Sequence, residues 1–142
     1  MVKQISVFLE NKCGRLVKIT QILGKNNINI RALTIADTSD FGILRIIVDQ
    51  PEKANQVLKE EGFIVTETEV VAVEVSDDPG GLAGILTYLE EAEINIEYLY
   101  SFVEKPAQDA LILMRLDNAE KGVEVLQKNN VTIIEGEHIY SL

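Results

Sequence analysis

The chain has 142 residues, a formal charge of −10 and 46% hydrophobic residues. That is the composition of a water-soluble globular protein, with no apolar stretch long enough to span a bilayer. The negative charge argues against nucleic acid, whose phosphates need a basic surface. A single cysteine, Cys13, leaves no internal disulfide to form, and a single histidine, His138, leaves no cluster at zinc-ligand spacing.

In chain order, Val2 to Leu9 alternates and reads as a strand. The turn Asn11-Lys12-Cys13-Gly14-Arg15-Leu16 leads into a helix with Leu16, Ile19, Thr20 and Leu23 on one face, stopped by Gly24-Lys25-Asn26-Asn27. Ile28 to Ala36 and Phe41 to Val48 read as strands around a polar turn, Asp37 to Asp40, so the pair is a hairpin. Pro51 opens a second helix that carries Ala54, Val57 and Leu58 and stops at Gly62, and Phe63 to Glu69 supplies a last strand. The second half gives the same order: strand Val71 to Ser76, helix Leu82 to Ala92, strands Ile94 to Val103 and Asp109 to Leu116, helix Ala119 to Asn129, strand Val131 to Ile139.

The two halves are a repeat. Asn11 to Leu16 and Asn27-Ile28-Asn29-Ile30 return, at one offset, as Asp77-Asp78-Pro79-Gly80-Gly81-Leu82 and Glu93-Ile94-Asn95-Ile96. After a short insertion Asp49, Lys53, Leu58 and Gly62 match Asp117, Lys121, Leu126 and Asn130. The expectation is two domains, 1–69 and 70–142, each a β-α-β-β-α-β unit with an antiparallel sheet and both helices on one face, an α+β, ferredoxin-like fold. Units this small bury little surface alone, so they should pack on each other and on a second chain as a homodimer. Thr66 to Ser76 is continuous β-like sequence with no linker. Pairing of edge strands would join the two sheets. Residues 1–69 balance nine bases against nine acids, whereas 70–142 hold four bases and fourteen acids, so equivalent sites should differ in what they bind.

Each first strand runs through a glycine-containing turn into a helix, where free N–H groups and the positive end of the helix dipole favour an anion such as a carboxylate. Lys12 and Arg15 flank the first turn; Asp77 and Asp78 flank the second. Helix capping accounts for Asn11 and Asp77. It does not account for Asn29 and Asn95, which return between isoleucines at the start of the next strand and ask for either a β-bulge or a ligand hydrogen bond.

The Asp-x-Pro-Gly-x-Leu turn at Asp77 to Leu82, the helix, the Ile-Asn-Ile at Ile94 to Ile96, and the element order resemble the ACT domain, a small regulatory module found on many enzymes of amino-acid metabolism. The resemblance covers nearly the whole chain as two tandem copies. It implies a free amino acid bound between two side-by-side ACT units, touching the strand-to-helix turn of one and the asparagine after the helix in its neighbour. By position that pairs Asn11, Lys12, Cys13, Gly14, Arg15 and Leu16 with Asn95 and Ile96, and Asp77, Asp78, Pro79, Gly80, Gly81 and Leu82 with Asn29 and Ile30. Cys13 and Asn11 depart from the proline and aspartate that the family prefers. The first turn suits a carboxylate, the second an ammonium group.

Other signals are weaker. Cys13 lacks the neighbouring base that nucleophilic catalysis needs. Asp77-Asp78 lacks the spaced carboxylates of a calcium loop, and Pro79-Gly80-Gly81 lacks the Gly-Lys-Ser/Thr sequel of a phosphate loop, so neither metal nor cofactor is expected. Tyr98, Tyr100 and Phe102 fall on one strand face, first of all as sheet packing, and second as the border of a pocket for an aromatic or imidazole side chain. No catalytic group is in view. The expectation is a cytoplasmic, allosteric amino-acid sensor that acts on an enzyme or regulator in trans, without membrane or nucleic acid. The alternative is a protein-protein interaction adaptor whose ligand sites have decayed.

Overall fold

A computed structural model describes residues 1–37, 40–102 and 109–142. Thr38 and Ser39 of the expected turn, and Val103 at the end of an expected strand, lie outside the described residues. The elements are β1 (Val2–Glu10), α1 (Arg15–Lys25), β2 (Ile30–Asp37), β3 (Phe41–Val48), α2 (Pro51–Glu60), β4 (Ile64–Val75), α3 (Gly81–Glu91), β5 (Ile96–Ser101), β6 (Ala110–Leu116), α4 (Ala119–Lys128), β7 (Ile133–Ile134) and α5 (Gly136–Tyr140). Both repeats have the expected ferredoxin-like order of strands and helices, with antiparallel pairing throughout.

Two strands expected at the junction are one. Phe63–Glu69 and Val71–Ser76 merge into the 12-residue β4, because no Gly or Pro interrupts the run of β-branched residues. Its partner changes along its length: Ile64 to Val70 pair with β1, and Val71 to Val75 pair with β6. The sheet therefore runs β2-β3-β1-β4-β6-β5, with β7 also on β4. A bridge from Ala32 to Phe102 brings the outermost strands together, so the sheet curls back on itself.

This curling creates three cores. Alternation along β1 and β3 sends Ile5, Val7, Leu44 and Ile46 to the side of α1 and α2, where they meet Ile19, Leu23 and Leu58. Val71, Val73, Met114 and Leu116 meet Ile85, Leu89 and Leu126 of α3 and α4 in the same way. The opposite sheet faces pack on each other through Val2, Ala32, Ile47, Val70, Ala72, Tyr100 and Leu113, closed by Ile139 of α5. Helices α1 to α4 contribute nothing to that middle core, so they lie on the two outer faces. The units thus join through a shared strand and stacked faces rather than by simple edge pairing.

The chain end departs from expectation. Val131 to Ile139 was expected as a strand, but only Ile133 and Ile134 pair, and Gly136–Tyr140 turns into a helix. Tertiary packing overrides the β-branched run: Ile139 is needed in the middle core, and the Tyr140 hydroxyl accepts the Lys3 backbone N–H at 2.8 Å. The stop of α1 also differs in detail. Gly24 stays helical, and the left-handed residue is Asn27 (φ 58°).

Among the described residues, one polar side chain, Gln4, is fully buried. It is satisfied across the repeats: its Oε1 accepts from the Tyr100 hydroxyl at 2.6 Å and its Nε2 donates to the Tyr98 hydroxyl at 2.7 Å. Burial raises the Tyr100 phenol well above its ordinary value of 10.0. The folded state therefore holds this proton more tightly than the unfolded chain. Its contribution to stability is present below pH 10 and is lost as pH rises above it. Tyr100→Phe leaves the buried Gln4 oxygen without its donor, and is expected to lower stability by about 1–3 kcal/mol. Urea unfolding at neutral pH measures the loss.

Candidate functional site

The strand-to-helix turn is built twice in the same way. Gly14 (φ 89°) and Gly80 (φ 86°) occupy the N-cap positions of α1 and α3 in the left-handed conformation, and neither helix has a side-chain cap. Asn11 and Asp77 each stand three residues before the N-cap position, which a glycine occupies. The glycines are required because a Cβ strains this backbone. Lys18 and Gly84 N–H groups return to the Gly14 and Gly80 carbonyls at 3.0 Å. In the second turn Gly81 rides against β4, where an added Cβ would collide with the Ser76 carbonyl. Ser76 Oγ donates to Asp78 Oδ2 at 2.7 Å.

The far end of each first helix is also duplicated. The Asn29 N–H donates to Asp49 Oδ1 at 2.9 Å, and the Asp49 N–H returns to the Asn29 carbonyl at 3.1 Å. Asn95 and Asp117 repeat both bonds at 3.1 Å. Lys53 Nζ donates to the Asn26 carbonyl and Lys121 Nζ to the Ala92 carbonyl, placing a cation at the negative end of α1 and of α3. Register shifts between Ile30 and Ala32 and between Ile96 and Tyr98 put a bulge just past each asparagine. The backbone is therefore fully engaged, whereas both asparagine side chains are exposed and neither amide bonds to any described residue.

Leu16 and Ile30 pack against the first outer core, and Leu82 and Ile96 against the second. Asn11, Lys12, Cys13, Asp77, Asp78 and Pro79 are exposed. Glu10, which the sequence did not single out, changes the first turn: its carboxylate pairs with Lys12 at 2.8 Å and reaches Arg15 at 4.0 Å. The two cations expected to await a ligand carboxylate already share one. Its place at the end of β1 was readable, but its aim at the turn was not. A hydrogen bond from Lys12, then the charges of Lys12 and Arg15, hold the Glu10 carboxyl below its ordinary value of 4.5.

The structure does not bring the cross-paired residues together within one chain. The hollow beside Asn95 is lined by Leu86, Glu90, Glu93, Ile94 and Ile96 of its own repeat, and the one beside Gly14 by Lys18, Gln21, Lys25 and Glu61 of its own. The reason is geometric. An 11-residue helix separates a turn from its own asparagine by about 16 Å, and the helices of the two repeats lie on opposite faces.

A family model described as an ACT domain pair matches residues 1–142. The chain belongs to the ACT domain pair family. Protein BT0572 from Bacteroides thetaiotaomicron is 43% identical in sequence, with a TM-score of 0.93 over 99% of this chain and 96% of that one. The regulatory subunit of aspartate kinase from Thermus thermophilus shares the fold at 15% identity, with a TM-score of 0.65 over 89% of this chain and 91% of its own. The regulatory subunit from Thermus flavus does so at 15% identity and a TM-score of 0.65, covering 88% of each chain. No curated protein matches the sequence. The ACT pair is a regulatory module, typically non-catalytic. Among the described residues, no helix is long and apolar enough to cross a membrane, and no group of three or more His, Cys, Asp or Glu is placed to hold a metal ion.

Two predictions follow from the turns. Gly80→Ala should destabilise by about 1–2 kcal/mol through its positive φ. Gly84→Ala, in an open helical position, should stabilise by about 1 kcal/mol. Thermal unfolding of both variants distinguishes cap strain from general helix propensity. Because the Glu10 carboxyl is depressed on folding, its stabilising effect is present above pH 4.5 and fades as pH falls through the lowered value. Lys12→Met should move its titration, followed by carboxyl NMR, back toward 4.5.

Proposed function

We propose that this ACT pair is an amino-acid sensor, binding a free amino acid between ACT units of two copies of the chain and acting on a partner protein in trans. The observation that carries the reading is the doubled arrangement of a left-handed glycine N-cap at one end of each first helix and an exposed asparagine amide at the other. The two ends are too far apart for one amino acid to span, yet they are complementary. Helix N–H groups suit a carboxylate, and an amide carbonyl suits an ammonium group. A neighbour laid antiparallel alongside would bring turn and asparagine together. The outer strands carry apolar side chains for such a contact, with Leu33 36%, Ile35 43% and Leu99 38% exposed.

On this reading the sites are Asn11 to Leu16 with Asn95 and Ile96 of the other copy, and Asp77 to Leu82 with Asn29 and Ile30 of the other copy. Binding ties two chains, so it shifts the monomer-dimer equilibrium and any surface that depends on it; a ligand acts only through such a difference in affinity between states. The regulated partner is an enzyme or regulator of amino-acid metabolism. The adaptor alternative is favoured at the first turn by Glu10, which neutralises the cations a ligand would use. For that reason we assign the stronger site to Asp77 to Leu82.

Thermal unfolding across the common amino acids tests the reading. A ligand at a hundred times its dissociation constant adds about 2.7 kcal/mol, so one or a few related amino acids should raise the midpoint; a flat panel supports the adaptor. Asn29→Ala and Asn95→Ala should each change unliganded stability by no more than about 0.5 kcal/mol, because only exposed side-chain atoms are removed. The ligand-induced shift should disappear in at least one of them.

A further inference from the structure

We infer a second ligand site, independent of the interface reading, in the cleft where the stacked sheets diverge: a site for a small carboxylate with an apolar or aromatic body. The middle core covers the face of the first sheet around Val2, Ile47 and Val70. Farther along the same strands, residues of β1, β3 and the start of β4 face residues of β5 and β6 across an opening. The result is a cleft of about 300 Å³, at the lower end of the size of ligand pockets. Phe8, Ile43 and Ile64 line it, and Phe8 and Ile64 remain 44% and 67% exposed.

The polar side of the cleft carries two arginines, Arg45 and Arg115, against one carboxylate, Glu97, and so is net positive in a chain of net charge −10. Arg45 lies over the Tyr98 ring, 3.9 Å from its centroid. A guanidinium set against one ring keeps its N–H donors for in-plane, bidentate contact with a carboxylate. Among the residues whose side chains are described, no carboxylate stands within 4.0 Å of Arg45. The neighbouring Arg115 is committed, to Glu97 at 3.7 Å and to the Glu69 carbonyl at 3.1 Å. Ser6 and Thr66 add hydroxyls to the same wall. Tyr98 is itself fixed by Gln4 at 2.7 Å, so the platform is held in place without a ligand. A carboxylate head on Arg45 and an apolar body over Phe8, Ile43 and Ile64 satisfy both halves of the cleft.

The test uses 3-phenylpropionate and its cationic counterpart 3-phenylpropylamine, titrated into the full chain by calorimetry and by amide NMR. The acid should bind and move the amides of Ser6, Phe8, Ile43, Thr66 and Tyr98, and the amine should leave them in place. Arg45→Gln should weaken the acid about tenfold or more, with Arg45→Lys intermediate because the charge stays and the fork is lost. Asn29→Ala and Asn95→Ala should leave this binding unchanged, so the cleft and the interface reading fail separately. Equal binding of acid and amine, shifts centred on Asn11 to Leu16, or no binding at millimolar acid would overturn the proposal. The acid-amine comparison on the unaltered chain decides the matter even if an Arg45 variant fails to fold.

Discussion

The fold depends on the continuity of β4. One strand serves as the last of the first repeat and the first of the second, pairing with β1 over Ile64 to Val70 and with β6 over Val71 to Val75. Covalent continuity removes the freedom of two small domains to choose their relative placement. The natural twist of a strand this long, 12 residues, turns the second sheet across the face of the first. The bare faces then bury each other, and the helices are left outside on both sides.

That arrangement sets the chemistry of the middle layer. Gln4 would be costly there unless paired on both ends of its amide. The hydroxyls of Tyr98 and Tyr100 supply those partners from the other repeat. The network is directional where the apolar core is not, and it fixes the register of one face on the other. It also orients the Tyr98 ring under Arg45, so the structural link and the wall of the cleft are the same side chain. Of the three aromatics that share a strand face, Tyr100 belongs to the buried core and Phe102 packs at its margin, while Tyr98 reaches the opening.

The two repeats keep their scaffold bonds and change their surfaces. Asp49 and Asp117 hold the asparagine backbones, and Lys53 and Lys121 sit at the ends of the first helices in both copies. Around the turns the side chains diverge, with Glu10, Lys12 and Arg15 forming one ion cluster and Ser76 bonded to Asp78 in the other. Duplication preserved what positions the backbone. Charge, which acts on ligands, was free to vary.

The sequence by itself determined the repeat, the β-α-β-β-α-β order, the glycine turns and the recurrence of Asn29 and Asn95, because each is written in local patterns: alternation along strands, apolar faces on helices, and glycine at the positive-φ turns Gly14 and Gly80. It did not show that β4 pairs with β1 over Ile64 to Val70 and with β6 over Val71 to Val75, or that Ile139 leaves its strand for a helix. Nor did it show that Tyr98 and Arg45 stack. These were decided by contacts between residues far apart in the chain, as Gln4 and Tyr100 are. Local propensity carries no information about which distant face a side chain will meet; only the stacking of one sheet on the other sets that.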